Sequence, residues 1–259
     1  MAIAQHPLYG SNKLGDKISE AHSVSGPDGG SFDFGRLPLV SVSTGAAGIV
    51  SVHQYDDGLK LYFSSLGANT IGNQPLQVAA GMDYQYDGAN NEGFNWSLAN
   101  SLNKSHIDAG PGIERYRVGS DAFHAKLTFS IADISYTDDT HFGFRKVQAP
   151  VAIDSYTDVA SLSIITSAST ADVQIATALN NASMTETDTT DNLADATTTT
   201  WEVLVSSAGV VTYKIDGSAP STTAAFTFDD GDLVTPFMHH LATGATGAVT
   251  LQNLSHGRQ

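Results

Sequence analysis

One short segment constrains the fold more than any other part of this chain. Residues 201–206 and 210–215 alternate large apolar residues with smaller or polar ones, and they flank the turn-forming triplet Ser207-Ala208-Gly209. Successive side chains of a β-strand point to opposite faces, so each run places its large apolar residues on one side. The pair Asp216-Gly217 then ends the second run with residues typical of a tight turn. The segment predicts an antiparallel hairpin with one buried face.

Runs of the same kind recur along the chain from residue 37 onwards. They cover residues 37–42, 48–53, 59–65, 76–80, 82–86, 94–98, 113–118, 123–131, 141–147, 159–166, 173–179, 182–187, 237–242 and 248–254. Turn-forming residues separate many of them, and helical periodicity longer than two turns is hard to find. Many short strands with short connections predict an all-β domain over residues 36–259, built as a sandwich of two antiparallel sheets.

Two segments depart from this pattern. Residues 1–35 contain several glycines and prolines and no sustained apolar period, so they cannot bury enough apolar surface to fold alone. We predict an extended N-terminal arm there that becomes ordered against a partner. Residues 185–200 are dense in Thr and Asp and predict an exposed loop or a weak edge strand.

The charge and the cysteine count narrow the classes of partner. The 259 residues carry a net charge of −15, and the 12 Lys and Arg residues form no basic cluster, so we expect no nucleic-acid partner. No apolar run approaches the length of a membrane span, and residues 1–7 lack the pattern of a secretion signal. We therefore expect no membrane partner and synthesis in a cytoplasm without secretion. Without cysteine there is no disulfide or thiolate site, so we expect subunit association to contribute stability.

Acidic turns are the only candidate metal sites. Asp229, Asp230 and Asp232 surround one glycine at the start of a strand and are the better calcium candidates, because hard cations prefer carboxylate oxygens. The same turn also forms wherever side-chain turn bonds are needed, and this alternative is favoured. The spacing of Asp188, Asp191 and Asp195 misses the ligand pattern of calcium loops. We expect no cofactor, with calcium as the one candidate ion.

The side chains needed for catalysis do not converge in the sequence. The five glutamates never share a strand face at the short spacing that a sandwich glycosidase needs. A sandwich lyase would gather Arg, Gln or Asn, His and Tyr in a groove, and only the run 114–117 (ERYR) is similar to such a strand. Adjacent His239 and His240 point to opposite faces, which predicts one surface and one core histidine, while His124 and His141 lie on neighbouring candidate strands. We predict that the protein is not an enzyme.

Two resemblances bear on the fold. The hairpin, with its aromatic-led strand and Asp-Gly turn, resembles the late hairpin of concanavalin-like (laminin-G-like) jelly rolls. Residues 112–134 and 138–146 resemble jelly-roll structural proteins of tailed bacteriophages, in which an apolar strand ending in Ile-Ala-Asp precedes a Gly-Phe-Arg-Lys strand. Residues 187–192, the hairpin and residues 224–231 continue the likeness in the same order. It covers roughly residues 112–254 and leaves the first hundred residues without a match.

The phage resemblance implies a capsid decoration or cement protein. Such proteins are oligomers, often trimers, that bind the outside of the shell where major capsid proteins meet. It therefore implies a virion surface location, the major capsid protein as partner, and a homotrimer. The alternative is a lectin-like carbohydrate-binding module of a virion, with Trp96, Tyr84 or Tyr86 exposed and stacked on sugar rings. If these aromatic residues were buried in the sandwich core, that module would have no aromatic surface on which a sugar ring could stack.

Overall fold

The computed structural model describes residues 30–33, 40–42, 50–54, 60–66, 76–78, 80–87, 90–98, 115–148, 151–165, 171–243 and 246–259. Their strands, in chain order, are β1 (Gly30–Asp33), β2 (Val40–Val42), β3 (Val50–Gln54), β4 (Lys60–Leu66), β5 (Leu76–Val78), β6 (Gly81–Asp87), β7 (Asn90–Ser97), β8 (Tyr116–Arg117), β9 (Phe123–Ile131), β10 (Thr137–Lys146), β11 (Val159–Ile165), β12 (Asp172–Ala178), β13 (Thr185–Asn192), β14 (Thr199–Val205), β15 (Val211–Ile215), β16 (Leu233–Thr243) and β17 (Thr246–Arg258). Two short 3-10 helices, Ile134–Tyr136 and Ile153–Ser155, interrupt them. No helix in these ranges is long and apolar enough to cross a membrane.

The strands form two antiparallel sheets. The smaller sheet has the order β15-β14-β9-β17-β6-β5, with β1 also paired to β17. The larger sheet has the order β13-β12-β11-β10-β16-β7-β4-β3-β2, with β8 also paired to β16. The prediction of an all-β sandwich of two antiparallel sheets is confirmed. Strand β1 lies within the range expected to be an arm, whereas residues 1–29 and 34–39 of that range lie outside the described residues.

The hydrophobic core fills the space between the two sheets. Trp201, Val203 and Val205 of β14 are buried, as the alternation predicted. The Phe129 ring of β9 meets the Trp201 indole edge to face at 4.9 Å. Full burial of a large apolar side chain contributes about 1.5–3 kcal/mol, so side chains of this kind hold the two sheets together.

The predicted hairpin turn is also confirmed. Strands β14 and β15 pair from Trp201 opposite Ile215 to Val205 opposite Val211. The turn that joins them contains Gly209 with a positive φ of 81°, and Gly209 N donates to Ser206 O at 2.9 Å. The tight turn predicted at the end of β15 is also present, since Asp216 and Gly217 have positive φ, 50° and 84°, as in a type I′ turn. The Asp216 carboxylate accepts a hydrogen bond from Thr200 N at 2.7 Å, which anchors the turn to the sheet.

The Thr- and Asp-rich segment forms an edge strand followed by a loop. Strand β13 is the last strand of the larger sheet, and its pairing with β12 contains a bulge at Val173/Gln174. Beyond it, Ser221 donates to both carboxylate oxygens of Asp191 at 2.9 Å, and Thr222 N donates to Thr189 O. The outer edge of β13 is therefore partly occupied by the chain's own backbone, which limits pairing with other chains.

Candidate functional site

At strands β7, β10, β11 and β16, the face of the larger sheet that points away from the smaller sheet is largely polar and yet buried. Strand β10 directs Thr140, Phe142 and Phe144 into the core, so alternation places His141 and Arg145 on the opposite face. We call this second side the outer face. His141 is 1% exposed and Arg145 0%, so the outer face at β10 is covered as completely as the core.

Strand register assembles a row of polar side chains across this face. His141 of β10 lies opposite Ser163 of β11 and opposite His239 of β16. His239 in turn lies opposite Asn95 of β7. Ser161 occupies the next outer position of β11. All five are buried, and we call them the polar row.

Two histidines stand at the centre of the polar row. The rings of His141 and His239 are 6.2 Å apart and nearly perpendicular, and His141 Nδ1 is hydrogen-bonded to Ser161 Oγ at 3.2 Å. Neither ring nitrogen of His239 has a hydrogen-bond partner. Burial, reinforced by the positive charge of Arg145, lowers the pKa of His239 to about 4. Burial and the neighbouring His239 likewise hold the pKa of His141 well below its usual value, so both imidazoles are neutral at pH 7.

Arg145 lies on the same face without an acidic partner. Its guanidinium donates to three neutral oxygens, the carbonyls of Lys146 and Gln148 at 3.1 Å each and Ser97 Oγ at 3.0 Å. It also stacks over the Tyr156 ring at 4.5 Å. The Nε atom has no partner. Burial lowers the pKa of Arg145, but a guanidinium remains charged at every physiological pH.

The connection between β10 and β11 covers the Arg145 end of the outer face. The 3-10 helix Ile153–Ser155 leads into Tyr156, whose hydroxyl accepts a hydrogen bond from Asn95 Nδ2 at 2.7 Å. Tyr156 packs with Ile153, Val159 and Phe237 in a small apolar cluster separate from the main core. This connection therefore places an aromatic ring and a hydroxyl directly against the polar row.

The polar row has the chemistry of hydrogen-bond recognition. Its amide, imidazole and hydroxyl groups donate and accept without carrying charge at neutral pH. The His141–Ser161 pair lacks the carboxylate that orients the base of a hydrolytic triad, since no described carboxylate bonds to His141 or His239. The arrangement is suited to holding a polar, uncharged group such as a sugar hydroxyl.

The three calcium candidates have separate surroundings. Asp229 Oδ2 accepts a hydrogen bond from Asn180 Nδ2 at 2.8 Å, and Asp232 Oδ1 pairs with Lys146 Nζ at 2.6 Å. Asp230 is exposed and lies against Gly119, where a Cβ atom would come within 1.6 Å of its Oδ1. Within the described ranges no group of three or more His, Asp or Glu side chains is placed to hold a metal ion. A calcium site stays a prediction for a binding experiment.

The remaining acidic candidates serve the local backbone. Asp188 Oδ1 accepts from Thr190 N at 2.8 Å, and Asp195 Oδ1 accepts from Ile134 N at 2.9 Å. Together with the Asp191–Ser221 contacts, these are the turn and loop bonds that the composition favoured over a metal site.

Two predictions about histidines need correction. His124 is on β9 in the smaller sheet and His141 on β10 in the larger one, so they are not neighbours on one sheet. His239 and His240 do point to opposite faces, but His239 is 2% exposed rather than a surface residue. His240 lies in the core and is hydrogen-bonded to Thr140 Oγ1 at 2.6 Å.

The aromatic sugar-stacking hypothesis also needs correction. Trp96 and Tyr84 are 0% and 2% exposed and belong to the core between the sheets, so neither forms a binding floor. The side chain of Tyr86 lies outside the described residues. Tyr116 belongs to the run similar to a lyase strand and is buried away from the outer face. Its hydroxyl is hydrogen-bonded to His256 Nδ1 at 2.6 Å.

Sequence reasoning missed five residues of the outer face: Asn95, Arg145, Tyr156, Ser161 and Ser163. A signal was present in two neighbouring strands. In β10, His141 and Arg145 alternate with phenylalanines, and in β11 the two serines alternate with Ala160, Leu162 and Ile164. A charged or small polar residue at alternate positions of an otherwise apolar strand indicates a second face with its own specific surroundings.

Comparison with known proteins identifies the fold. No family model and no curated protein matches the sequence. The alginate lyase PA1167 from Pseudomonas aeruginosa matches with a TM-score of 0.51 and 11% identity, over 74% of this chain and 88% of the lyase. The exoplasmic/lumenal domain of VIP36, solved with Ca2+/Man3GlcNAc, matches with a TM-score of 0.51 and 8% identity, over 79% of this chain and 85% of that domain. A protein of unknown function from Shewanella oneidensis MR-1 has a TM-score of 0.49 and 13% identity, over 99% of this chain and 95% of its own. At these identities the likeness shows the fold alone, which is the concanavalin-like jelly roll.

Proposed function

We propose that this chain is a carbohydrate-binding jelly-roll module whose ligand contacts the outer face of the larger sheet. The polar row is the observation that carries the proposal. A sheet face open to water is expected to carry charged residues, and one packed on another layer is expected to be apolar. This face instead buries an amide, two imidazoles and two hydroxyls beside the aromatic rings of Tyr156 and Phe237.

This combination is what a sugar ring requires. Aromatic rings cover the apolar faces of a sugar ring, while amide, imidazole and hydroxyl groups bond to its hydroxyls. The Tyr156 hydroxyl accepts a hydrogen bond from Asn95 Nδ2. On this proposal it occupies the position that a sugar hydroxyl would take. Because Asn95, His141 and His239 are at most 2% exposed, ligand binding on this proposal requires the residues that cover them to move, among them Tyr156, which contacts Asn95. The fold shared with the VIP36 domain and an alginate lyase is compatible with this use.

Binding without turnover is part of the proposal. Supporting it, neither central histidine has a carboxylate partner among the described residues, so no base is oriented next to a nucleophile.

A glycan panel tests the proposal, and the adjacent histidines supply a matched pair of variants. His239→Gln changes the polar row, whereas His240→Gln changes an equally buried imidazole on the core side. We expect the wild type and folded His240→Gln to bind the same glycan and His239→Gln to lose at least about tenfold in affinity. Absence of binding to any glycan on a broad panel, or equal binding by both variants, would contradict the proposal.

A second candidate function is a decoration protein on a phage capsid. The observation that favours it is that several segments of residues 112–254 resemble phage jelly-roll structural proteins and follow one another in the same order. On this proposal the chain is a homotrimer on the virion surface, bound to the major capsid protein. A protein inventory of purified particles, with sedimentation of the isolated chain, tests it. A monomer absent from every particle would count against a decoration role, whereas a trimeric particle component that also binds glycan would unite the two candidates.

A further inference from the structure

The outer face carries a buried positive charge that no described carboxylate on that face neutralises. Arg145 is fully buried, and its hydrogen bonds all go to neutral oxygens. Burying a charge without an opposite partner costs several kcal/mol in proteins. Stacking on Tyr156 at 4.5 Å offsets part of that cost, since a desolvated cation–π contact contributes about 2 kcal/mol.

Among the described residues the one buried carboxylate, that of Asp158, lies on the core side of the sheet and not on the outer face. Asp158 alternates with Ala160 and Leu162, which face the core, and it pairs with Lys146 Nζ at 3.2 Å. The chain contains 27 acidic residues, and none of those described forms an ion pair with Arg145. In the described part of this strongly acidic protein, Arg145 thus remains a buried guanidinium without an acidic partner.

Unpartnered nitrogens lie in the same region. Arg145 Nε and both ring nitrogens of His239 are buried and have no hydrogen-bond partner, and the charge of Arg145 acts on the His239 ring. Leaving a buried polar group unpaired costs about 1–3 kcal/mol. Such groups in native proteins call for an explanation, of which a missing bound group is one.

We propose that the sugar recognised by this face is acidic, a uronic-acid residue whose carboxylate lies against Arg145 and His239. The inference rests on the proposed glycan function and specifies its ligand. A carboxylate neutralises the single buried guanidinium charge and accepts from Arg145 Nε–H and from a protonated nitrogen of His239. The hydroxyls of the same sugar then meet Asn95 and the serines of the polar row.

Paired ligands that differ in one charge test this inference. Titration calorimetry would compare oligogalacturonate with its methyl ester, which keeps the sugar ring and linkage and removes the negative charge. Charge-assisted hydrogen bonds contribute about 1.5–3 kcal/mol, so we expect the acid to bind about 10- to 100-fold more tightly than the ester. Arg145→Gln should remove most of that difference, and His240→Gln should preserve it.

The possible results distinguish a failure of the acidic-sugar inference from a failure of the proposed glycan binding. Equal affinity for acid and ester, or binding of neutral glycans only, overturns the acidic-sugar inference and leaves glycan binding intact. Failure to bind any glycan overturns both. If Arg145→Gln does not fold, His239→Gln decides. A preference for the acid that His239→Gln leaves unchanged contradicts the inference.

Discussion

Acid should destabilise this protein steeply, because four of its described histidines, among them His141, are buried in neutral form. Burial lowers the pKa of His239 to about 4 and the pKa of His240 and His256 to about 3. In the unfolded chain each returns to about 6.5. As the pH falls below 6.5 the unfolded chain takes up protons that the folded protein does not, so stability present above pH 6.5 is lost progressively down to the folded-state pKa values.

The size of the loss follows from these values. At pH 5 the solution is about 1.5 pH units below the pKa of an unfolded histidine, and each unit corresponds to about 1.4 kcal/mol. Each of the three histidines therefore lowers the free energy of unfolding by about 2 kcal/mol between pH 8 and pH 5, and together by about 6 kcal/mol. A typical domain has a total stability of about 5–15 kcal/mol, so unfolding near pH 5 is within reach. His141, whose pKa is lowered by the same cause, adds to the effect.

Urea unfolding measured at pH 8, 7, 6 and 5 checks this calculation. Above pH 5 the carboxylates contribute little, so the histidines dominate the slope. His240→Gln should reduce the difference between pH 8 and pH 5 by about 2 kcal/mol whatever it does to stability at pH 8. His124, which is only partly buried, should contribute less when replaced by Gln. Equal wild-type stability at pH 8 and pH 5, or an unchanged slope in His240→Gln, would refute the reasoning.

Three further predictions concern packing and ions. Trp201→Ala, which empties a fully buried site, should lower the free energy of unfolding by about 3–5 kcal/mol, and a loss below 1 kcal/mol in denaturant titration would contradict the packing described here. Gly143→Ala should be strongly destabilising because its Cβ would lie 2.2 Å from Ala160 O, whereas Gly217→Ala, with nothing within 4 Å, should cost only about 1 kcal/mol from its positive φ; comparable losses in thermal melts would sink this distinction. Calcium should leave the melting temperature unchanged, since Asp232 already has a lysine partner, and a rise abolished by Asp232→Ala would instead establish the calcium site.

The strands could be predicted well because their side chains alternate sharply. Strand β9 has the predicted bounds. The β14–β15 hairpin turns at the predicted Ser207-Ala208-Gly209, and β15 ends at the predicted Asp216-Gly217 turn. Strand β16 begins four residues before the predicted start at Phe237, because Leu233 and Val234 pair with the short strand β8. Pairing partners distant in the sequence leave no local signal.

The outer face could not be assembled from the sequence for a related reason. His141, His239 and Asn95 become neighbours only through the register of three strands, and register depends on the whole sheet. Both faces of these strands are buried, so alternation between exposed and buried residues does not distinguish core from outer face. The prediction that one of His239 and His240 lies at the surface was wrong for this reason. Polar side chains are usually exposed, whereas this face buries them.

The position of β17 has a consequence for how the chain folds. This strand pairs with β9, β6 and β1, so three separate segments of the smaller sheet have no common partner until β17 is in place. Contacts between residues this far apart in the sequence slow folding, because a long loop must close before any of them forms. During that interval β6 and β9 present unpaired backbone groups that other chains could capture. Rapid capture of β17 is therefore the step on which the yield of correctly folded protein depends.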